Sequence, residues 1–176
     1  MEAIEIASPQ LHATILTQGA SLAQLHVADR WGVFGDVLLG FAAEAGWQCA
    51  ANPCMGSIVG RVAGRTAPHL VVDEVLHLLP GCDGGGGGIR PSTNLHGGLR
   101  MNRDVWTLRH KAADAVTLAT VCSGQASGFP GALETLSPYL LDVRLPLCLI
   151  VCLTCAAAQE TSSAAYAIEQ KERICA

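Results

Sequence analysis

Apolar residues in this chain recur at every second position, and only over short runs. From Ser21 to Val27, Ala23, Leu25 and Val27 fall on one side and Gln24 and His26 on the other. Val116, Leu118 and Thr120 alternate in the same way with Thr117, Ala119 and Val121. A period of two is the signature of a strand with one face buried. Runs this short, broken by Gly, Pro and Asp, predict many strands in antiparallel order, an all-β fold. No sustained 3.6-residue period competes before residue 155, so helix is expected only in a weakly helical C-terminal tail.

Local signals refine this. Asp73-Glu74 separates His69-Leu70-Val71-Val72 from Val75-Leu76-His77-Leu78, the layout of a two-residue hairpin. Tight primed turns want positive φ and usually glycine, so Glu74 predicts a loosened hairpin. Residues 84–88 are five consecutive glycines followed by Ile89-Arg90-Pro91, not by the Gly-Lys-Ser/Thr of a phosphate loop, and read as a flexible loop expansion. Pro138 and Pro146 each remove a ladder donor, so strands around them are expected at a sheet edge or bulged.

Composition excludes several functions. The net charge is −4 and no basic stripe is available to track phosphates, so no nucleic-acid partner is expected. The start, Met1-Glu2-Ala3-Ile4-Glu5, is acidic and lacks a secretory layout. The longest apolar run, residues 145–158, is interrupted by Pro146 and Thr154 and is short of the roughly 20 residues of a membrane span. A cytoplasmic location with no membrane partner is expected. Of eight cysteines, Cys148, Cys152, Cys155 and Cys175 crowd the tail. They read as reduced thiols, and the apolar spacers with no fourth ligand argue against a metal site.

Several ordered blocks resemble one family. They are Leu16-Thr17-Gln18-Gly19-Ala20-Ser21-Leu22, Val27-Ala28-Asp29-Arg30-Trp31-Gly32, Asp36-Val37-Leu38-Leu39-Gly40-Phe41, Gly56-Ser57-Ile58-Val59-Gly60-Arg61-Val62-Ala63-Gly64-Arg65, Asn94-Leu95-His96-Gly97-Gly98, Trp106, and Gly128-Phe129-Pro130-Gly131. Together they resemble the aldose 1-epimerase (galactose mutarotase) family over about residues 11–140. The resemblance implies an antiparallel β-sandwich with a sugar cleft on its concave face. It also implies interconversion of the α and β anomers of an aldohexose such as glucose or galactose, with no cofactor and no metal. Ring opening needs a base at the C1 hydroxyl and an acid at the ring oxygen, each contributing about 10²–10⁴-fold.

The family's base is a Glu near the C-terminus, and its acid a His in an Asn-His-Thr-Tyr-Phe-Asn type motif. By the resemblance, Arg65 and His96 are the substrate-binding residues, and His96 is the catalytic candidate. Gly64 stands where the family usually has Asn, and Cys54-Met55 replaces an aromatic pair. Arg61 reads as solvated or paired. Trp31, Trp47 and Trp106 read as core or edge residues, and His12, His26, His69, His77 and His110 as surface or strand-face residues. The resemblance stops before the family's second half: no histidine follows His110, and Glu160, Glu169 and Glu172 lack the family context. Residues 1–140 are therefore expected to form the family domain in truncated form. Residues 141–176 are expected to be a divergent, Cys-rich tail of the kind a splice variant, intron read-through or frameshifted gene model gives. The expected function is that of an aldose 1-epimerase-like protein, impaired or inactive as an enzyme. The alternative is a non-catalytic sugar-binding or non-functional truncated variant.

Overall fold

The computed structural model describes residues 1–81 and 93–142, and the backbone of two further short strands at 148–149 and 154–157. Every strand pairing in it is antiparallel. Strands β1 (Ala3–Ala7), β2 (Leu11–Leu16), β3 (Ser21–Ala28) and β4 (Phe34–Asp36) form a four-stranded meander in that order. After a one-turn helix, α1 (Glu44–Gln48), come β5 (Arg65–Thr66), β6 (His69–Val72), β7 (Val75–Leu78) and β8 (Asn94–Leu95). In this group β6 pairs with β7 and β5 with β8. A second large sheet holds β9 (Thr107–Lys111), β10 (Ala115–Cys122) and β11 (Leu133–Asp142), with a short helix α2 (Gly124–Ser127) between β10 and β11. On the far side of β11 lie β12 (Cys148–Leu149) and β13 (Thr154–Ala157).

The two large sheets share one core. Ile4, Ile6, Ile15, Leu22 and Leu25 from the first pack in one cluster with Val116, Leu118, Tyr139 and Leu141 from the second. Trp106, 1% exposed, fills the same cluster and donates its indole N–H to the Met101 carbonyl at 2.9 Å. An indole N–H taken out of water has to find an acceptor, and this one does. The backbone of the sheets is stitched together as well. Ala7 donates to the Ala113 carbonyl at 2.7 Å, and Trp106 to that of Thr17 at 2.8 Å. The alternation of Val116 and Leu118 is that of the expected strand, both side chains being fully buried.

Four expectations need correction. First, Ala23 does not share a face with Leu25. The β2–β3 register slips between Thr14, opposite Gln24, and Ile15, opposite Leu22. The unpaired residue reverses the side-chain parity, so Leu22 joins Leu25 in the main core while Ala23 packs in a second cluster with Leu16 and Trp47. Second, the β6–β7 hairpin is closed from His69↔Leu78 to Val72↔Val75. Asp73 (φ 49°) and Glu74 (φ 63°) both take the left-handed conformation a primed turn requires, without glycine. Third, helix is not confined to the tail: α1 buries Trp47 edge-on against Phe41, with ring centroids 5.3 Å apart. In the tail, 148–149 and 154–157 are strands paired with β11, and residues 159–176, where the weak helix is expected, lie outside those described. Fourth, Trp31 is neither a core nor an edge residue. It is 72% exposed, with the Arg30 guanidinium 3.9 Å from its ring centroid.

Candidate functional site

The two blocks with most of the chemistry-bearing residues, 60–66 and 94–98, meet face to face. Arg65 is paired with Leu95 and Thr66 with Asn94. One rung further on, Gly64 and His96 bond reciprocally. The His96 N–H donates to the Gly64 carbonyl at 2.9 Å, and the Gly64 N–H donates to the His96 ring at Nδ1, 3.0 Å away. Arg65 is exposed, and its Nη1 donates to Thr93 Oγ1 at 3.2 Å. His96 is half-buried. The two residues expected to grip a sugar therefore occupy neighbouring rungs of one short ladder.

The turn that presents His96 is built from below. Asn94 is fully buried; its Nδ2 donates to the Pro80 carbonyl at 2.6 Å, and its Oδ1 accepts the Gly97 N–H at 3.1 Å. His96 (φ 53°) and Gly97 (φ 69°) both enter the left-handed region. At Gly97 a Cβ would stand on the backbone of Gly60 and Arg61, so only glycine lets the two blocks approach this closely. Gly64 (φ 81°) differs: a Cβ there would meet nothing within 4 Å, and its glycine serves backbone conformation alone.

Arg61 belongs to the scaffold. Its guanidinium donates to three carbonyls at the end of β10 and in the segment that links it to β11: Cys122 at 2.8 Å, Pro130 at 3.1 Å and Gly131 at 2.7 Å. The Phe129 ring lies beneath it, 5.4 Å from the guanidinium carbon to the ring centroid. Arginine suits this role because its donors are several, planar and always charged. Arg61 thus ties the Gly-Phe-Pro-Gly block to the block that contains Arg65. An open hollow of about 490 Å³ lies beside that loop, lined by His77, Ser123 and Phe129 among others. Sequence reasoning missed both the clamp and the hollow, because the clamp's partners are backbone carbonyls and leave no residue-type signal.

Elsewhere, burial pushes the Cys54 thiol up from its ordinary range, against the pull of the nearby Arg103 charge. A raised thiol is mostly protonated and a poor nucleophile. Among the described residues no group of three or more His, Cys, Asp or Glu could hold a metal; the side chains of Cys148, Cys152, Cys155 and Cys175 lie outside those residues. Among the described residues, too, no helix is long and apolar enough to cross a membrane.

A family model for aldose 1-epimerase matches residues 2–152, most of the chain and the whole of the ladder just described. The chain belongs to the aldose 1-epimerase family. The galactose mutarotase of Rattus norvegicus is 33% identical over 144 residues, covering 81% of this chain and 40% of that protein. The galactose mutarotase of Homo sapiens is 30% identical over 145 residues, with the same coverages of 81% and 40%. This chain therefore spans about two-fifths of the length of the curated relatives it matches. Among solved structures, a GalM/aldose epimerase homologue from C. elegans superposes with a TM-score of 0.70 at 30% identity, over 81% of this chain and 42% of that one. Galactose 1-epimerase from Lactobacillus acidophilus shares the fold, with a TM-score of 0.59 at 22% identity, over 81% of this chain and 41% of that one. The antiparallel β fold expected of an aldose 1-epimerase is thus the one present.

Proposed function

We propose that this chain is the sugar-gripping portion of an aldose 1-epimerase, with Arg65 and His96 holding oxygens of an aldohexose such as glucose or galactose. The observation that supports this reading is the short β5–β8 ladder and the Gly64–His96 bonds beside it, which set the backbone of His96 one rung from that of Arg65. Arg65 offers only donors, and hydroxyl and ring oxygens are the acceptors that a hexose presents. Family membership supports this substrate class.

Positioning is not the whole reaction. Mutarotation needs a base to take the proton of the C1 hydroxyl and an acid to supply the ring oxygen with one. Residues 1–176 contain no histidine after His110 and no Asn-His-Thr-Tyr-Phe-Asn type segment. We therefore read the polypeptide by itself as a sugar binder with little or no epimerase activity. Binding and turnover separate the two halves of this reading. Titration of the purified chain with galactose, followed by amide shifts, should perturb the 64–66 and 94–98 segments saturably. Polarimetry of freshly dissolved α-glucose or α-galactose should show a rate close to that of buffer. Absence of any saturable shift at those segments would refute the sugar-gripping role.

A further inference from the structure

We propose that the backbone amide of Gly64 is a positioning group that fixes His96 in a single tautomer, with Nδ1 unprotonated and the proton on Nε2. A neutral imidazole has one N–H donor and one lone-pair acceptor. A peptide N–H can only donate, so its bond to Nδ1 at 3.0 Å assigns the lone pair to that nitrogen. The proton is left on Nε2.

The surroundings hold this arrangement in place. The His96 N–H returns a bond to the same residue at 2.9 Å, so ring and backbone are both anchored on Gly64. Behind His96, Gly97 is pressed on the Gly60–Arg61 backbone and tied to Asn94 Oδ1 at 3.1 Å. Flipping the ring or shifting the proton to Nδ1 would lose the bond from Gly64; a shifted proton would set two donors against each other. The outer nitrogen, Nε2, makes no hydrogen bond among the described residues.

A chemical consequence follows, which rests on the sugar-gripping reading for what the outer nitrogen faces. A ring with its lone pair turned inward cannot take a proton from the C1 hydroxyl. It can offer an N–H to a ring oxygen or a hydroxyl lone pair. Arg65, on the next rung, likewise has donors and no acceptor. On the sugar-gripping reading the two residues offer a ligand donors only, and His96 acts as a fixed donor and not as a base.

The test has two arms. In protein labelled with ¹⁵N, long-range ¹H–¹⁵N correlation at mildly alkaline pH reads each imidazole nitrogen directly, with His96 assigned by its loss in His96→Asn. A pyridine-type Nδ1 and a pyrrole-type Nε2 are expected. The reverse assignment, or two averaged nitrogens, overturns the proposal whatever the sugar does. The second arm titrates galactose into wild type, His96→Gln and His96→Asn. The Gln side chain can place an amide N–H where Nε2 stood, whereas Asn can keep an acceptor near Gly64 but has no outer donor. Expected is affinity within about threefold of wild type for Gln and a loss of about tenfold or more for Asn, the scale of one hydrogen bond. The opposite order overturns the donor role. If wild type does not bind galactose at all, the sugar-gripping reading fails, and the nitrogen spectrum still decides the tautomer.

Discussion

The phenol of Tyr139 donates a hydrogen bond to the backbone carbonyl of Ala20 across 119 residues of sequence. Tyr139 sits on β11 and Ala20 at the turn into β3, so this one bond joins the two large sheets through the core. Both residues are buried, Tyr139 to 1% and Ala20 to 0% exposure. Removing the hydroxyl leaves a buried carbonyl without its partner, which costs about 1–3 kcal/mol. Tyr139→Phe should therefore lower the urea midpoint with an unchanged slope, because the fold and its buried area stay the same. A midpoint equal to wild type would show that the bond contributes nothing.

The same phenol makes stability pH-dependent at the alkaline end. Burial pushes its pKa from 10.0 up to about 12. The folded state then binds more protons than the unfolded chain between those two values, so stability falls as pH rises through that window. The contribution is fully present below pH 10 and is lost as pH approaches 12, an effect on the order of 2–3 kcal/mol. Chemical denaturation at stepped pH, with phenolate absorbance followed in parallel, measures it. Tyr139→Phe should lose this alkaline limb, and a limb of equal size in that variant would assign it to another group.

Gly97 governs the meeting of the 60–66 and 94–98 blocks. Adding a Cβ drives it onto the Gly60–Arg61 backbone, and φ of 69° is already unfavourable for an L side chain. Gly97→Ala should cost about 2–4 kcal/mol, since backbone must move and the left-handed conformation becomes strained. Thermal unfolding reads the cost, and galactose-induced amide shifts at His96 should shrink with it.

Arg61 is expected to matter for stability and not for ligand contact. Arg61→Ala deletes three charge-assisted bonds to carbonyls and strands those acceptors, a loss of about 2–4 kcal/mol. Amide exchange should accelerate first over residues 122–131. Arg61→Lys should rescue little, because one ammonium cannot reproduce the planar fork.

How much of this was legible beforehand depended on whether the signal was local. The strand at Val116 and Leu118 announced itself, since alternation and burial are one fact. The two blocks that carry Arg65 and His96 were also readable as blocks, and the β5–β8 ladder pairs their backbones. Ala23 was not, because the unpaired residue in β3 reverses parity with no residue-type mark. The hairpin at Asp73 and Glu74 was correctly located by spacing, but its closure depends on two left-handed residues that propensity disfavours. Arg61 escaped for a different reason: it acts on backbone 61 to 70 positions away, and backbone carbonyls are present everywhere in a sequence.

Mutarotation is the sharpest measure of what this polypeptide does alone. Anomerisation is already unimolecular, so holding the sugar brings only part of the entropic advantage that positioning gives a bimolecular reaction. What accelerates ring opening is a base and an acid on opposite sides of the hemiacetal, each contributing about 10²–10⁴-fold. Arg65 has donors and no acceptor, so it cannot serve as the base. His96, with its lone pair bound to Gly64 at 3.0 Å, can polarise an oxygen but cannot accept the proton of the C1 hydroxyl. The expected polarimetric rate is within about threefold of buffer, the lower end of what a single hydrogen bond contributes. His96→Asn should bring it to the buffer rate while leaving the melting temperature near that of wild type. A large acceleration that survives His96→Asn would place a base and an acid elsewhere in residues 1–176. A large acceleration abolished by that substitution would make His96 a proton-transfer residue and refute the donor-only account.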